Sequence, residues 1–172
     1  MSGSQTEKRG ALGRVRAMSW FVRCWYVPVW ILLGLSRIAV LSLKFKVLVR
    51  ILGEPVLPFS RPSVSSTERQ RAKEISWVIQ SAARRTPWKS NCFAQAVAAR
   101  VMLGLFDLPW VVIFGVERSR TDEKRLAHAW VNSGPVRVTG GHGERRYVFL
   151  GAFGSSSSAD PDQQDGVGQT QN

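Results

Sequence analysis

The sequence predicts an α+β domain with an antiparallel sheet, preceded by an apolar helical extension. Three observations carry this. Residues 67–104 repeat apolar side chains at helical spacing, residues 108–153 change to short β-branched and aromatic runs between turn residues, and residues 18–53 are strongly apolar with scattered Arg and Lys. Helices first and strands afterwards indicate segregated layers. A chain of 172 residues allows one modest domain plus appendages.

Taken in order, residues 1–17 are polar and basic and read as a flexible terminus. Within the extension at 18–53, the longest uncharged run is CWYVPVWILLGLS, residues 24–36. It falls short of the roughly 20 residues needed to cross a bilayer. It ends at Ser36 and Arg37-Ile38 follows, where small residues would mark a cleavage site, so secretion is not expected. Residues 38–52 (IAVLSLKFKVLVRIL) read as a helix with Lys44, Lys46 and Arg50 among aliphatics. Two roles fit it. The favoured one is a layer packed on the core or a partner, its long basic side chains reaching outward. The other is a peripheral contact of residues 18–53 with anionic lipid, helped by Trp20, Trp25 and Trp30. Residues 54–66, with three prolines and several serines, read as a linker to the domain at 67–153. From Gly154 to Asn172 the chain holds a single aliphatic residue, Val167, and reads as a disordered tail.

The net charge of +12 is unevenly placed, with nine Lys or Arg against one Glu in residues 1–53. Such an excess suits an acidic peptide, an anionic membrane surface or nucleic acid. No helix-turn-helix, zinc-finger or single-strand-binding signature accompanies it, so nucleic acid is not an expected partner. The two cysteines, Cys24 and Cys92, form no CxxC pair, which favours a reducing, cytoplasmic setting. With His128 and His142 they show no familiar ligand spacing, so neither a metal nor another cofactor is expected.

In the domain, Ser65-Ser-Thr-Glu68 has the form of a capping box. A helix to about Arg84 follows, with Ile75, Val78, Ile79 and Ala82 on one stripe. Pro87 interrupts the pattern. A second helix begins at Asn91 or Cys92 and runs to Gly104, a natural left-handed stop. Strands are expected at 108–116, 126–133, 136–139 and 146–153, with glycine-bearing turns at 133–135 and 140–143.

That order has a chemical consequence. Cys92 falls in the first turn of a helix, where unpaired N–H groups and the dipole favour an anion, and the thiolate is the nucleophile. The same N–H groups can stabilise an oxyanion. His128 alternates with Leu126, Trp130 and Asn132 on one strand face and can take the thiol proton if that strand packs beside the helix. Trp88 and Trp130 are candidate walls of a substrate cleft.

The string Arg84-Arg-Thr-Pro87-Trp88-Lys-Ser-Asn-Cys92-Phe-Ala-Gln95-Ala96, then Met102-Leu103, Gly115-Val116 and His128-Ala-Trp130-Val131, resembles the transglutaminase-like leader peptidases of lasso-peptide biosynthesis. The resemblance runs from about Ser76 to Phe153. It implies a transglutaminase-like (papain-like) cysteine peptidase core with Cys92 as nucleophile and His128 as base. It also implies a bacterial enzyme that removes the leader from a ribosomally made precursor peptide. A separate small leader-recognition protein and an asparagine-synthetase-like lasso cyclase are the implied partners. The departure from that pattern is the third catalytic position. An aspartate is expected about a dozen residues after the histidine, where this chain has Thr139-Gly140. Glu144 is the candidate third member, with Thr139, His142, Asn132 or a backbone carbonyl as alternatives. Acyl transfer on the same fold, or a catalytically degenerate scaffold for the maturation complex, are the rival functions.

Overall fold

The computed structural model describes residues 20–57, 62–117, 127–141 and 147–155. The terminus and tail readings, at 1–17 and beyond Ser155, lie outside the described residues, as do Leu126, His142, Glu144 and the basic loop at 118–125.

The apolar amino-terminal segment folds as two helices, α1 (Trp20–Ser42) and α2 (Phe45–Leu52). The sequence reading of an uncharged run cut off at Arg37 is corrected here. α1 continues through Arg37 for 23 residues, long and apolar enough by length and composition to cross a membrane. Arg37 sits within it as an ordinary helix former, its guanidinium reaching off the helix to donate to the Lys89 carbonyl oxygen at 2.6 Å. The helix read at 38–52 is likewise divided: Lys44, extended at φ −63° and ψ 143°, caps α2 and separates it from α1. One face of α1 is core. Val29 and Leu33 are fully buried, and Phe21 meets Phe106 edge to face at 5.1 Å. Arg71 holds its guanidinium 4.2 Å above the Phe21 ring.

Helix α3 (Ser66–Ala83) starts where its cap requires. Ser65 Oγ accepts from the Glu68 N–H, and Glu68 Oε2 accepts from the Ser65 N–H at 2.7 Å. That backbone bond holds the Glu68 carboxyl below the usual carboxylate range. Ile75, Val78, Ile79 and Ala82 are all fully buried, as the stripe predicts. Burial of each large aliphatic stabilises by about 1.5–3 kcal/mol. Helix α4 (Cys92–Leu105) buries Ala96, Ala98, Ala99 and Leu103 beside them. It does not stop at Gly104. It runs one residue further, and the left-handed residue after it is Asp107, at φ 51°.

The strands form one antiparallel sheet in the order β1-β5-β2-β3-β4. They are β1 (Glu54–Pro55), β2 (Val111–Glu117), β3 (Ala127–Ser133), β4 (Val136–Thr139) and β5 (Tyr147–Gly154). The stretch read as a linker at 54–66 therefore begins inside the sheet, with Glu54 opposite Gly154. In β2 and β3, Val112, Ala129 and Val131 are fully buried and join the core beneath the helices. α3 is tied to β4 by polar bonds. Ser76 Oγ donates to the Val138 carbonyl oxygen at 2.7 Å, and Gln80 Nε2 donates to the same oxygen at 3.2 Å. These bonds fix the end of β4, which leads directly into Gly140.

Candidate active site

The residue that starts α4 is Cys92, and Asn91 before it is the helix cap. Asn91 Oδ1 accepts from the Ala94 N–H at 3.0 Å, which satisfies one of the free first-turn donors. The Cys92 N–H, at the first helical position, has no place in the helix ladder and stays available to an anion. Cys92 is half-buried, its sulfur 3.9 Å from the carbonyl oxygen of Ala127. Ala127 immediately precedes His128, so the helix start and the beginning of β3 are in contact. We expect Asn91→Ala to cost about 1 kcal/mol, and Asn91→Ser to restore most of it. Urea unfolding midpoints check this.

His128 is held by a backbone group. Its Nε2 lies 2.7 Å from the carbonyl oxygen of Gly140. A carbonyl only accepts, so Nε2 carries the hydrogen and Nδ1 of the neutral ring is left with its lone pair. The Gly140 carbonyl thus stands at the chain position where the resemblance expected an aspartate. Gly140 adopts φ +99°, and a Cβ there would meet Trp130 Cδ1 at 2.5 Å and the Ala129 carbonyl oxygen at 2.8 Å. Glycine is therefore needed at this place. The next peptide is clamped too, because Arg137 Nη1 donates to the Gly141 carbonyl oxygen at 3.1 Å. Arg137 Nε also donates to Asn132 Oδ1 at 2.9 Å.

Two aromatic rings flank the imidazole. Trp130 meets it edge to face at 4.7 Å, and Tyr147 lies nearly parallel to it at 5.2 Å. An aromatic face favours a positive charge placed over it, by about 0.5–1 kcal/mol at exposed sites. Trp130 is only 3% exposed and buttresses the ring from below. Gly115, opposite His128 in β2, makes room for the Trp130 ring. A Cβ on Gly115 would stand 2.9 Å from Trp130 Cζ3.

Cys92 and His128 line one cleft of about 340 Å³ together with Gln80, Arg84, Gln95 and Gly140. Gln95 is tied down there, its Nε2 donating to the Ser90 carbonyl oxygen at 2.8 Å. Trp88 stands elsewhere. It packs on Trp30 at 4.7 Å and against Gly34 of α1, so it does not wall this cleft. Thr139 is fully buried with no hydrogen-bond partner for its hydroxyl among the described residues. Glu144 lies outside the described residues. Sequence reasoning did not single out Gln80, Arg84 or Gly140 for the cleft. The signal for Gly140 was the Gly-Gly pair standing where a carboxylate was missing. No group of three His, Cys, Asp or Glu among the described residues is placed to hold a metal ion.

A half-buried thiol at a helix start and an oriented imidazole on the neighbouring strand line one cleft, the pairing that nucleophilic Cys–His chemistry uses. Residues 37–150, about two-thirds of the chain, match the transglutaminase-like superfamily, and the chain belongs to it. That superfamily has the fold of cysteine proteases and acyltransferases. The matched region begins within α1, so the end of that helix belongs to the family domain. No curated protein and no solved structure matches the chain.

Proposed function

We propose that this chain is a cysteine peptidase that releases the leader from a lasso-type precursor peptide. The observation that supports it best is the shared cleft: Cys92 at a helix start and His128 with a free Nδ1 both line it. The motif string from Arg84 to Val131 supports the particular substrate class.

In this reading Cys92 Sγ attacks the carbonyl carbon of the scissile peptide bond, and the thiol proton passes to His128 Nδ1. The oxyanion of the tetrahedral intermediate faces the Cys92 N–H and the positive end of α4. When the carbon–nitrogen bond breaks, His128 returns the proton to the leaving amine of the core peptide. Water, deprotonated by the same nitrogen, then hydrolyses the leader thioester and frees the thiol. The released core passes to a separate ATP-using, asparagine-synthetase-like cyclase. A separate small protein presents the leader, and the reaction takes place in the cytoplasm.

The test is incubation of the chain with its recognition protein and precursor, followed by mass spectrometry. The expected products are leader and core whose masses exceed the precursor by one water. A product lacking that water, with an added amine joined to the leader carbonyl, would instead identify an acyltransferase. An intact precursor, under conditions where recognition protein and precursor bind, would point to the scaffold role.

A further inference from the structure

Helix α1 has two apolar faces, and the fold uses one. Opposite the buried Val29 and Leu33, the residues Trp20, Val27, Ile31, Leu35, Ile38 and Leu41 are 51–77% exposed. At the α-helical repeat they form a single row about 30 Å long. Beside the row, Trp30, Gly34 and Trp88 line an apolar groove of about 440 Å³. A surface of this extent on a soluble domain marks a contact site.

The exposed charges on the same two helices are all cationic: Arg23, Lys44, Lys46 and Arg50 are exposed on α1 and α2 or at their junction, and residues 8–53 contain no Asp or Glu. We propose that this face lies flat on an anionic phospholipid surface. Its apolar row enters the boundary between headgroups and acyl chains, and the Lys and Arg side chains meet lipid phosphates.

Two alternatives fit less well. α1 is long enough to span a bilayer, but its other face is committed to the domain. Val29 and Leu33 are in the core, Phe21 packs edge to face on Phe106 with the Arg71 guanidinium over its ring, and Arg37 is bonded to the Lys89 carbonyl. Crossing would strip all of these contacts. A second copy packed face to face would set cations against cations, with no carboxylate in residues 8–53 to answer them. Phospholipid phosphate meets that charge.

The test is co-sedimentation of the full chain with vesicles, so it does not depend on what Cys92 catalyses. We expect binding to equal parts phosphatidylglycerol and phosphatidylcholine to be at least about tenfold tighter than to phosphatidylcholine alone, and to weaken with salt. Ile31→Asp with Ile38→Asp should reduce it at least about tenfold with unchanged thermal unfolding, because both positions are more than half exposed. Lys46→Glu with Arg50→Glu, which alters the charge and leaves the apolar row, should do the same. Three results would overturn the proposal. One is failure of the parent chain to bind either vesicle. Another is parent-like binding by the double-Asp variant, which would put binding in the basic residues before α1. The third is conversion of a dimer to a monomer by that variant, which would make the face a contact between copies.

Discussion

Cys92→Ser is expected to fold as the parent does and to release leader roughly 10⁴-fold more slowly, a barrier increase of about 5.5 kcal/mol. The substitution is nearly isosteric at a half-buried position, and serine suits a helix start. What changes is the acid. A thiol is intrinsically a far stronger acid than an alcohol, so a serine hydroxyl in its place needs a strong base at the moment of attack. Here the base is oriented by a neutral carbonyl, the Gly140 oxygen at 2.7 Å, rather than by a carboxylate. A buried carboxylate would stabilise the imidazolium that forms as the proton moves. The aromatic rings of Trp130 and Tyr147 offset only part of that loss. The site is therefore suited to sulfur, a stronger intrinsic nucleophile than a neutral hydroxyl. Single-turnover cleavage at saturating recognition protein measures this. Activity within tenfold of the parent would show that His128 alone activates an oxygen nucleophile, contrary to the role given to the thiolate.

How much of this was legible beforehand depended on whether the signal was local. The capping box at Ser65, the stripe from Ile75 to Ala82 and the strand at 136–139 are short-range patterns, and the structure forms them as read. The placement of Cys92 at a helix start was legible for the same reason, since Asn91 is a capping residue and Pro87 breaks the preceding helix. Long-range facts, and the exact end of a helix, were not. The turn after α4 was assigned to Gly104 because glycine tolerates positive φ, but Asp107 carries it. The end of α1 was misread because Arg37 looked like the end of an apolar run, and its bond to Lys89, 52 residues away, cannot be seen in sequence. Trp88 was read as a candidate cleft wall, yet its ring turns to Trp30. The orienter of His128 was read only as one alternative among several, a backbone carbonyl tied to no particular residue. A main-chain carbonyl has no residue type to recognise, and its aim depends on Gly140 φ, on the Arg137 clamp and on the bonds from α3 to Val138.

That dependence makes the two adjacent glycines the sharpest probe of the site. Gly140→Ala is expected to lower kcat for leader release on the order of 10²-fold, with KM nearly unchanged. Two of the atoms a Cβ would meet, the Ala129 carbonyl oxygen and Trp130 Cα, are main-chain atoms of β3, both at 2.8 Å. They cannot yield without moving the strand that carries His128. The third, Trp130 Cδ1 at 2.5 Å, belongs to the ring beneath the imidazole. Relief of the clash must turn the Gly140 peptide, and the Nε2–H bond that sets the tautomer goes with it. Gly141 is the control. It also has positive φ, +62°, but nothing lies within 4 Å of a Cβ built there. Gly141→Ala should therefore carry only the backbone strain, about 1 kcal/mol of stability, and keep kcat within about threefold. Thermal unfolding separates strain from catalysis, because both variants lose some stability and only Gly140→Ala loses the oriented base. Equal losses in the two variants would show that the turn matters for folding alone and that the Gly140 carbonyl does not position His128.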